Sequence, residues 1–128
     1  MQDPRLSVEA SRYRREEGAA AMAELLERAE TFDAVRCFND AVALGALECL
    51  RERGVRVPED VAVIGLDDVE EARHSTPTLS SVSPDRAMIA QVAVRLLHDR
   101  LTGAAPEEPV RRVTEHHLEV RGSTTVTH

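Results

Sequence analysis

Residues 61–72 read VAVIGLDDVEEA, a run of apolar and small residues that stops at two neighbouring aspartates. The run 61–66 has no polar alternation, the pattern of a strand covered on both faces in a parallel sheet flanked by helices. Carboxylates that directly follow such a strand can hold a ligand, coordinate a metal or start a helix, and the surrounding residues decide between these roles.

Upstream, VRVPED (55–60) is a turn-rich connector, and NDAVALGALECLRERG (39–54) reads as a helix with a capping residue in front and Gly54 at its end. AVRCF (34–38) before it reads as a short strand. Strand, helix and strand in this order make a βαβ unit with a right-handed crossover. Val42, Ala46, Cys49 and Leu50 of the helix suit packing on a sheet, while Leu44 and Leu47 point elsewhere. A helix apolar around much of its circumference has to be covered twice, so a partner subunit is one candidate for the second cover. From Glu16 to Glu30, Ala19, Met22, Leu25, Leu26 and Ala29 recur at three- and four-residue intervals, the stripe of an amphipathic helix.

Downstream, TLSSV (78–82) predicts a weaker third strand, and SPDRAMIAQVAVRLLHDRLTG (83–103) the clearest helix of the chain. Ser83 is its expected cap, Pro84 its first residue and Gly103 its stop, with Met88, Ile89, Val92, Ala93, Leu96 and Leu97 on one face. VRRVTEHHLEVRG (110–122) predicts one or two short strands, and STTVTH (123–128) a loose tail.

The 128 residues suffice for one modest core, and 42% hydrophobic with 30% charged residues fits a folded soluble chain. A formal net charge of −7 opposes direct binding to a phosphate backbone, which needs a local excess of Lys and Arg. Tyr13, Phe32 and Phe38 are the only aromatic residues, too few for a platform that stacks single-stranded bases. No apolar run reaches the length of a bilayer-crossing helix, and MQDPRLSVEASRYRREEG (1–18) lacks the apolar stretch of a signal peptide, so a cytoplasmic location and no membrane partner are expected. Cys37 and Cys49 lie in apolar patterns without CxxC spacing and are expected to be buried free thiols.

In an open parallel sheet, ligands bind beyond the carboxyl ends of the strands. Asn39 follows the strand 34–38 and Asp67 follows 61–66; if the strands are neighbours, about 4.8 Å apart, the two side chains can converge on one small molecule. Asp68, with Glu71 three positions on, has the D-x-x-E arrangement of a capping box and is expected to start a helix. Asp40 is expected to share the capping of the helix 39–54 with Asn39. Asp67 is needed for no cap, and its two oxygens could grip vicinal hydroxyls or base N–H groups. Metal and catalysis are disfavoured. DDVEEARH (67–74) lacks the alternating ligands and central glycine of a calcium loop, and Glu115, His116 and His117 alternate across a strand, so the histidines cannot chelate from one face. Ser80, Ser81 and Ser83 lack a nucleophile elbow and a histidine placed to activate them. No cofactor, metal or enzymatic turnover is expected.

FDAVRCFNDAVALGALECLRERGVRVPEDVAVIGLDD, TPTLSSVSPD, AVRLLHDRLTG and HLEVRGST, preceded by EEGAAAMAELL, together resemble the LacI/GalR family of bacterial transcription regulators, with order and spacing intact over nearly the whole chain. The resemblance implies a periplasmic-binding-protein-like (type I) α/β core, here a parallel-sheet three-layer α/β/α fragment. It also implies a small effector, a sugar or a nucleoside or purine, held between two subdomains, with binding that shifts the core between two arrangements. Tyr13 matches the family's aromatic that stacks on the effector, and Asn39 and Asp67 match its polar ligands. Pro84 stands where many members carry Gln, so one side-chain hydrogen bond to effector is absent.

The same resemblance divides residues 1–128 into 1–82, mostly carboxyl-terminal subdomain, 83–116, belonging to the amino-terminal subdomain, and 117–128, a return strand and tail. It implies that the helix-turn-helix headpiece is absent from this chain, so that DNA is reached only through that headpiece. A partial core leaves strand edges and the face of 85–102 uncovered, which predicts a homodimer built on Leu44, Leu47, Glu71, His74 and Ser75. The expected function is effector sensing and dimerisation in a LacI-type regulator. The alternatives are a solute-binding protein of a transport system and a dimerisation-only fragment.

Overall fold

The apolar run around Val63 forms the second strand of a four-stranded sheet in a computed structural model that describes residues 4–28 and 31–125. In chain order the elements are a 3-10 turn Pro4–Leu6, α1 Arg15–Arg28, β1 Ala34–Arg36, α2 Asp40–Glu52, β2 Ala62–Leu66, α3 Glu70–His74, β3 Ser80–Pro84, α4 Arg86–Leu101 and β4 His116–Glu119. The sheet order is β1-β2-β3-β4. β1 pairs in parallel with β2, with Val35 opposite Val63, and β2 in parallel with β3, with Gly65 opposite Ser81. The βαβ unit read from 34–66 is therefore present. Residues 29 and 30, the end expected for the first helix, lie outside the described residues.

The chain divides into two compact units, one comprising the residues up to Ser83 with those from Leu118 onward, the other Pro84–His117. The first contains the hydrophobic core. Leu50, Val63, Ala43, Ala72 and Leu79 are fully enclosed, joined by Met22, Leu25, Val42 and Ala46. Each large aliphatic side chain so enclosed contributes about 1.5–3 kcal/mol relative to exposure. β2 has a neighbour on each side and α2 packs on it, with Val61, Val63 and Gly65 turned to the buried side.

Leu44 and Leu47 are corrected here. Both are buried within this chain, and α1 lies along the side of α2 that carries Val42 and Gly45. Two glycines permit that approach. A Cβ on Gly45 would stand 1.9 Å from the Arg15 carbonyl oxygen, and one on Gly18 would stand 2.2 Å from that of Val42. Backbone meets backbone at this crossing, so neither position has room for a methyl group.

The tail is corrected as well. Ser123 is fully buried: its backbone N–H donates to the Thr78 carbonyl at 2.9 Å, its hydroxyl donates to the Val63 carbonyl at 2.6 Å, and the Ser80 N–H donates to that hydroxyl at 2.8 Å. Residues 121–125 are thus tied to β2 and β3, while 126–128 lie outside the described residues.

In the second unit α4 begins two residues later than its sequence suggests. Asp85 is the N-cap, accepting from the Met88 N–H at 2.9 Å, and Pro84 ends β3 instead of opening the helix, with Ser83 buried before it. Gly103 does follow the helix, at φ 76°. No residue of α4 is buried, and Val94 and Leu97 of its apolar positions are well exposed.

Gly45→Ala should lower stability by about 1–3 kcal/mol or more, because the helices must part or α1 must shift to admit one methyl. A urea titration followed by circular dichroism should show the midpoint falling, whereas Gly54→Ala, which meets no atom within 4 Å but sits at φ 70°, should register only the smaller backbone penalty.

Candidate functional site

β1 and β2 end side by side and point the same way, so Asn39 and Asp67, which follow them within a few residues, stand at the same edge of the sheet. Asn39 is the N-cap of α2. Its extended backbone leaves Oδ1 free to accept from the Val42 N–H at 2.9 Å, and its Nδ2 donates to the Tyr13 carbonyl at 3.3 Å. The carboxamide thus joins the amino end of α2 to the segment that carries Tyr13. Tyr13 stacks on Phe38, the residue before Asn39, with ring centroids 4.2 Å apart and planes at 16°. The structure therefore brings Tyr13 and Asn39 together and adds Phe38, which the sequence analysis placed only in a strand. A cleft of about 700 Å³ beside β1 is lined by both rings and by Val8, Met22, Phe32 and Cys37, but not by Asn39 or Asp67. Pro84 ends β3, belongs to the second unit and is half-buried.

Asp67 and Asp68 both lie at positive φ, 111° and 51°, a region that non-glycine residues occupy only when neighbours hold them there. The holding groups are visible. The Asp67 N–H donates to the Val82 carbonyl at 3.0 Å, the Asp68 N–H to Ser81 Oγ at 3.0 Å, and the Val69 N–H to Asp40 Oδ2 at 2.9 Å. Three successive backbone donors are thereby fixed by β3 and by α2.

Asp40 and Asp68 are corrected in consequence. Asp68 caps nothing: α3 begins with Val69 as its N-cap and no side-chain cap bond, and Glu71 is exposed. The Asp68 carboxylate, 2% exposed, instead accepts from Arg121 Nη2 at 2.5 Å, Arg73 Nη2 at 2.9 Å and Ser83 Oγ at 3.2 Å. Asp40, fully buried, leaves the capping of α2 to Asn39 and reaches across the sheet, accepting from Ser81 Oγ at 2.6 Å as well as from Val69. Gly65 makes room for it, since a Cβ there would stand 2.1 Å from Asp40 Oδ1. Burial alone would raise the Asp68 pKa, but the hydrogen bonds and charges of Arg121 and Arg73 outweigh it and hold the carboxyl below its ordinary value.

Among the described residues no group of His, Cys, Asp and Glu is arranged to hold a metal ion. His116 and His117 are exposed, and β4 begins at His116, with Glu115 before it. Cys37 and Cys49 are buried and free; burial, with the nearby Asp40, pushes the Cys37 thiol up to about 12. Among the described residues no helix is long and apolar enough to cross a membrane.

A parallel sheet with helices packed on it, and an aromatic ring, an amide and a carboxylate at its strand ends, defines an α/β core. The chain belongs to the periplasmic binding protein-like domain family, whose model matches residues 2–124, in the form carried by LacI-type regulators. The HTH-type transcriptional regulator CelR of Thermobifida fusca is 50% identical over 106 residues, which make up 83% of this chain and 31% of that protein. The HTH-type transcriptional repressor PurR of Vibrio atlanticus is 37% identical over 103 residues, 80% of this chain and 30% of that one. A solved regulator of the LacI family from Sanguibacter keddieii superposes with a TM-score of 0.90 at 44% identity, covering 96% of this chain and 47% of the other. A transcriptional regulator CelR in complex with cellobiose superposes with a TM-score of 0.89 at 46% identity, covering 96% and 37%. The chain thus spans about a third of the length of these curated relatives. The resemblance read from the sequence is borne out.

Asp68→Asn should destabilise the fold by about 3–5 kcal/mol, since it leaves Arg121 without its buried partner. A carboxyl whose pKa is lower folded than unfolded stabilises the fold above the unfolded value, near 4, and that contribution is lost as pH falls through the lower folded value. Urea midpoints measured from pH 6 to pH 3 should therefore fall less steeply in Asp68→Asn than in the parent chain.

Proposed function

We propose that this chain is the effector-sensing and dimerising portion of a LacI-type transcription regulator, and that its effector is a sugar bound at the carboxyl ends of β1 and β2. The observation that carries the reading is the meeting of Tyr13, Phe38 and Asn39 at the sheet edge where Asp67 also stands. The ring offers a face for the C–H side of a pyranose, and the carboxylate an acceptor pair for vicinal hydroxyls. A sugar is favoured over a purine because the more similar of the two named regulators is CelR, and a CelR of similar structure is in complex with cellobiose. Asp67 is the specificity ligand in this reading, Asn39 contributes its remaining donor and lone pair, and Pro84 marks the missing side-chain bond. Residues 83–116 belong in this reading to the amino-terminal subdomain and 1–82 mostly to the carboxyl-terminal one, with 117–128 as the return strand and tail.

Operator DNA is contacted in this reading by the helix-turn-helix element that the relatives' names carry, not by these residues. The protein works in the cytoplasm, where two buried free thiols remain reduced. Dimerisation uses the exposed side of α3: Glu71, His74 and Ser75 surround a shallow hollow of about 420 Å³ with Arg15, and Leu44 reaches its wall. Leu47 is left out, being buried within this chain.

Calorimetric titration with cellobiose, other hexosides, nucleosides and purines should give saturable heat with a sugar, weakened roughly tenfold or more in Asp67→Ala, as expected for a lost hydrogen bond to a charged group. Absence of heat with every one of these would leave dimerisation as the only role. Analytical ultracentrifugation should find a dimer, dissociated by His74→Glu, which adds a like charge beside Glu71; a folded monomer in the parent chain would end the dimer reading.

A further inference from the structure

Phe38 has no part in the proposed polar contacts, yet its position is unusual. It is 58% exposed and Tyr13 is 57% exposed, while Phe32 packs against the core, so two of the three aromatic residues of the chain lie stacked on each other at the surface. Burial of a Phe side chain is among the larger favourable increments in folding, and here most of it is forgone.

The geometry defines what the pair can do. Nearly parallel rings with centroids 4.2 Å apart each cover one face of the other, and both residues remain more than half exposed. A ring ligand cannot enter between them and can meet Tyr13 only on its outer face. The backbone beneath the pair is held independently: Asn39 Nδ2 donates to the Tyr13 carbonyl, and Asn39 Oδ1 accepts from Val42 at the first turn of α2. Main chain and side chain of Tyr13 are therefore fixed by two adjacent residues, the ring by Phe38 and the carbonyl by Asn39.

We infer that Phe38 is a positioning residue for the effector site: it backs the Tyr13 ring, so that a single, preorganised aromatic face is presented to a ring-shaped ligand such as a pyranose. The inference deepens the sugar-sensor reading and rests on it for the ligand. Phe38 touches Tyr13 and acts through it, and the gain comes from rotamer freedom that Tyr13 has already lost before binding.

Composition supplies the test, because Tyr13 is the only tyrosine and the chain has no tryptophan. Tyrosine emission therefore reports this one ring. In the ligand-free chain, Phe38→Ala should lower the anisotropy of that emission and raise its quenching by acrylamide, with the urea midpoint little changed; Phe38→Tyr is unsuitable for this readout, and Phe38→Leu should restore only part of the restraint. Cellobiose affinity should fall about three- to tenfold in Phe38→Ala, in keeping with an aromatic pair. Phe38→Ala should have no further effect in a Tyr13→Ala background. Unchanged anisotropy and quenching in Phe38→Ala, or losses of affinity that simply add in the double variant, would overturn the inference. If the parent chain binds no sugar while Phe38→Ala still frees the tyrosine, the sensor reading falls and the restraint of Tyr13 by Phe38 stands.

Discussion

A carboxylate removed from water must be given other donors, and two such groups shape the loop between β2 and α3. Asp68 is enclosed with Arg121, Arg73 and Ser83 around it, and Asp40 with Ser81 and the Val69 N–H. Losing one donor would leave a buried polar atom unsatisfied at a cost of about 1–3 kcal/mol, so the arrangement resists piecemeal loosening. It also explains how two consecutive aspartates keep left-handed backbone. Acceptors on β3 and on the first turn of α2, with the Arg121 donor on the returning chain, hold the loop from three sides. The residue before this anchored point is Asp67, whose direction is thus inherited from groups on three other segments.

The parts of the fold that depend on short-range pattern could be read directly. β2 declares itself as an unbroken apolar run, and α1 and α2 by their spacing, because one buried face imposes the helical period. Asn39 and Asp67 were reachable by counting from strand ends, since a parallel sheet puts successive ends on one side. What could not be read are interactions whose partners lie far apart. D-x-x-E at 68–71 is a sound capping signal taken alone, and it is overridden by an arginine 53 residues later. No local feature singles out Arg121. Leu44 and Leu47 misled for a related reason: a helix apolar on two sides states that two covers are needed, and only the glycine pair at the α1–α2 crossing shows that α1 takes the Val42 and Gly45 side. Ser123 looked like tail because its hydroxyl finds its acceptor 60 residues upstream.

The aromatic pair illustrates the same division. The family resemblance pointed to Tyr13 but said nothing of Phe38, which reads in sequence as the last apolar residue of a strand. Only the geometry shows that β1 stops at Arg36, that Cys37 turns inward, and that the next ring is left outside against Tyr13. Asn39 likewise has two structural duties that limit its free hydrogen-bonding capacity, since an amide offers two donors and one oxygen and part of each is already engaged.

Cys37 sits directly beneath that ring pair in the chain, enclosed, with its thiol pushed up to about 12. At neutral pH the group is held in its thiol form, and the thiolate is the form that reacts. A sulfhydryl reagent added to the folded chain should therefore react slowly with this sulfur, although Cys37 borders the cleft beside β1. Its slow alkylation sets it apart from an ordinary exposed thiol, readable without any ligand in hand.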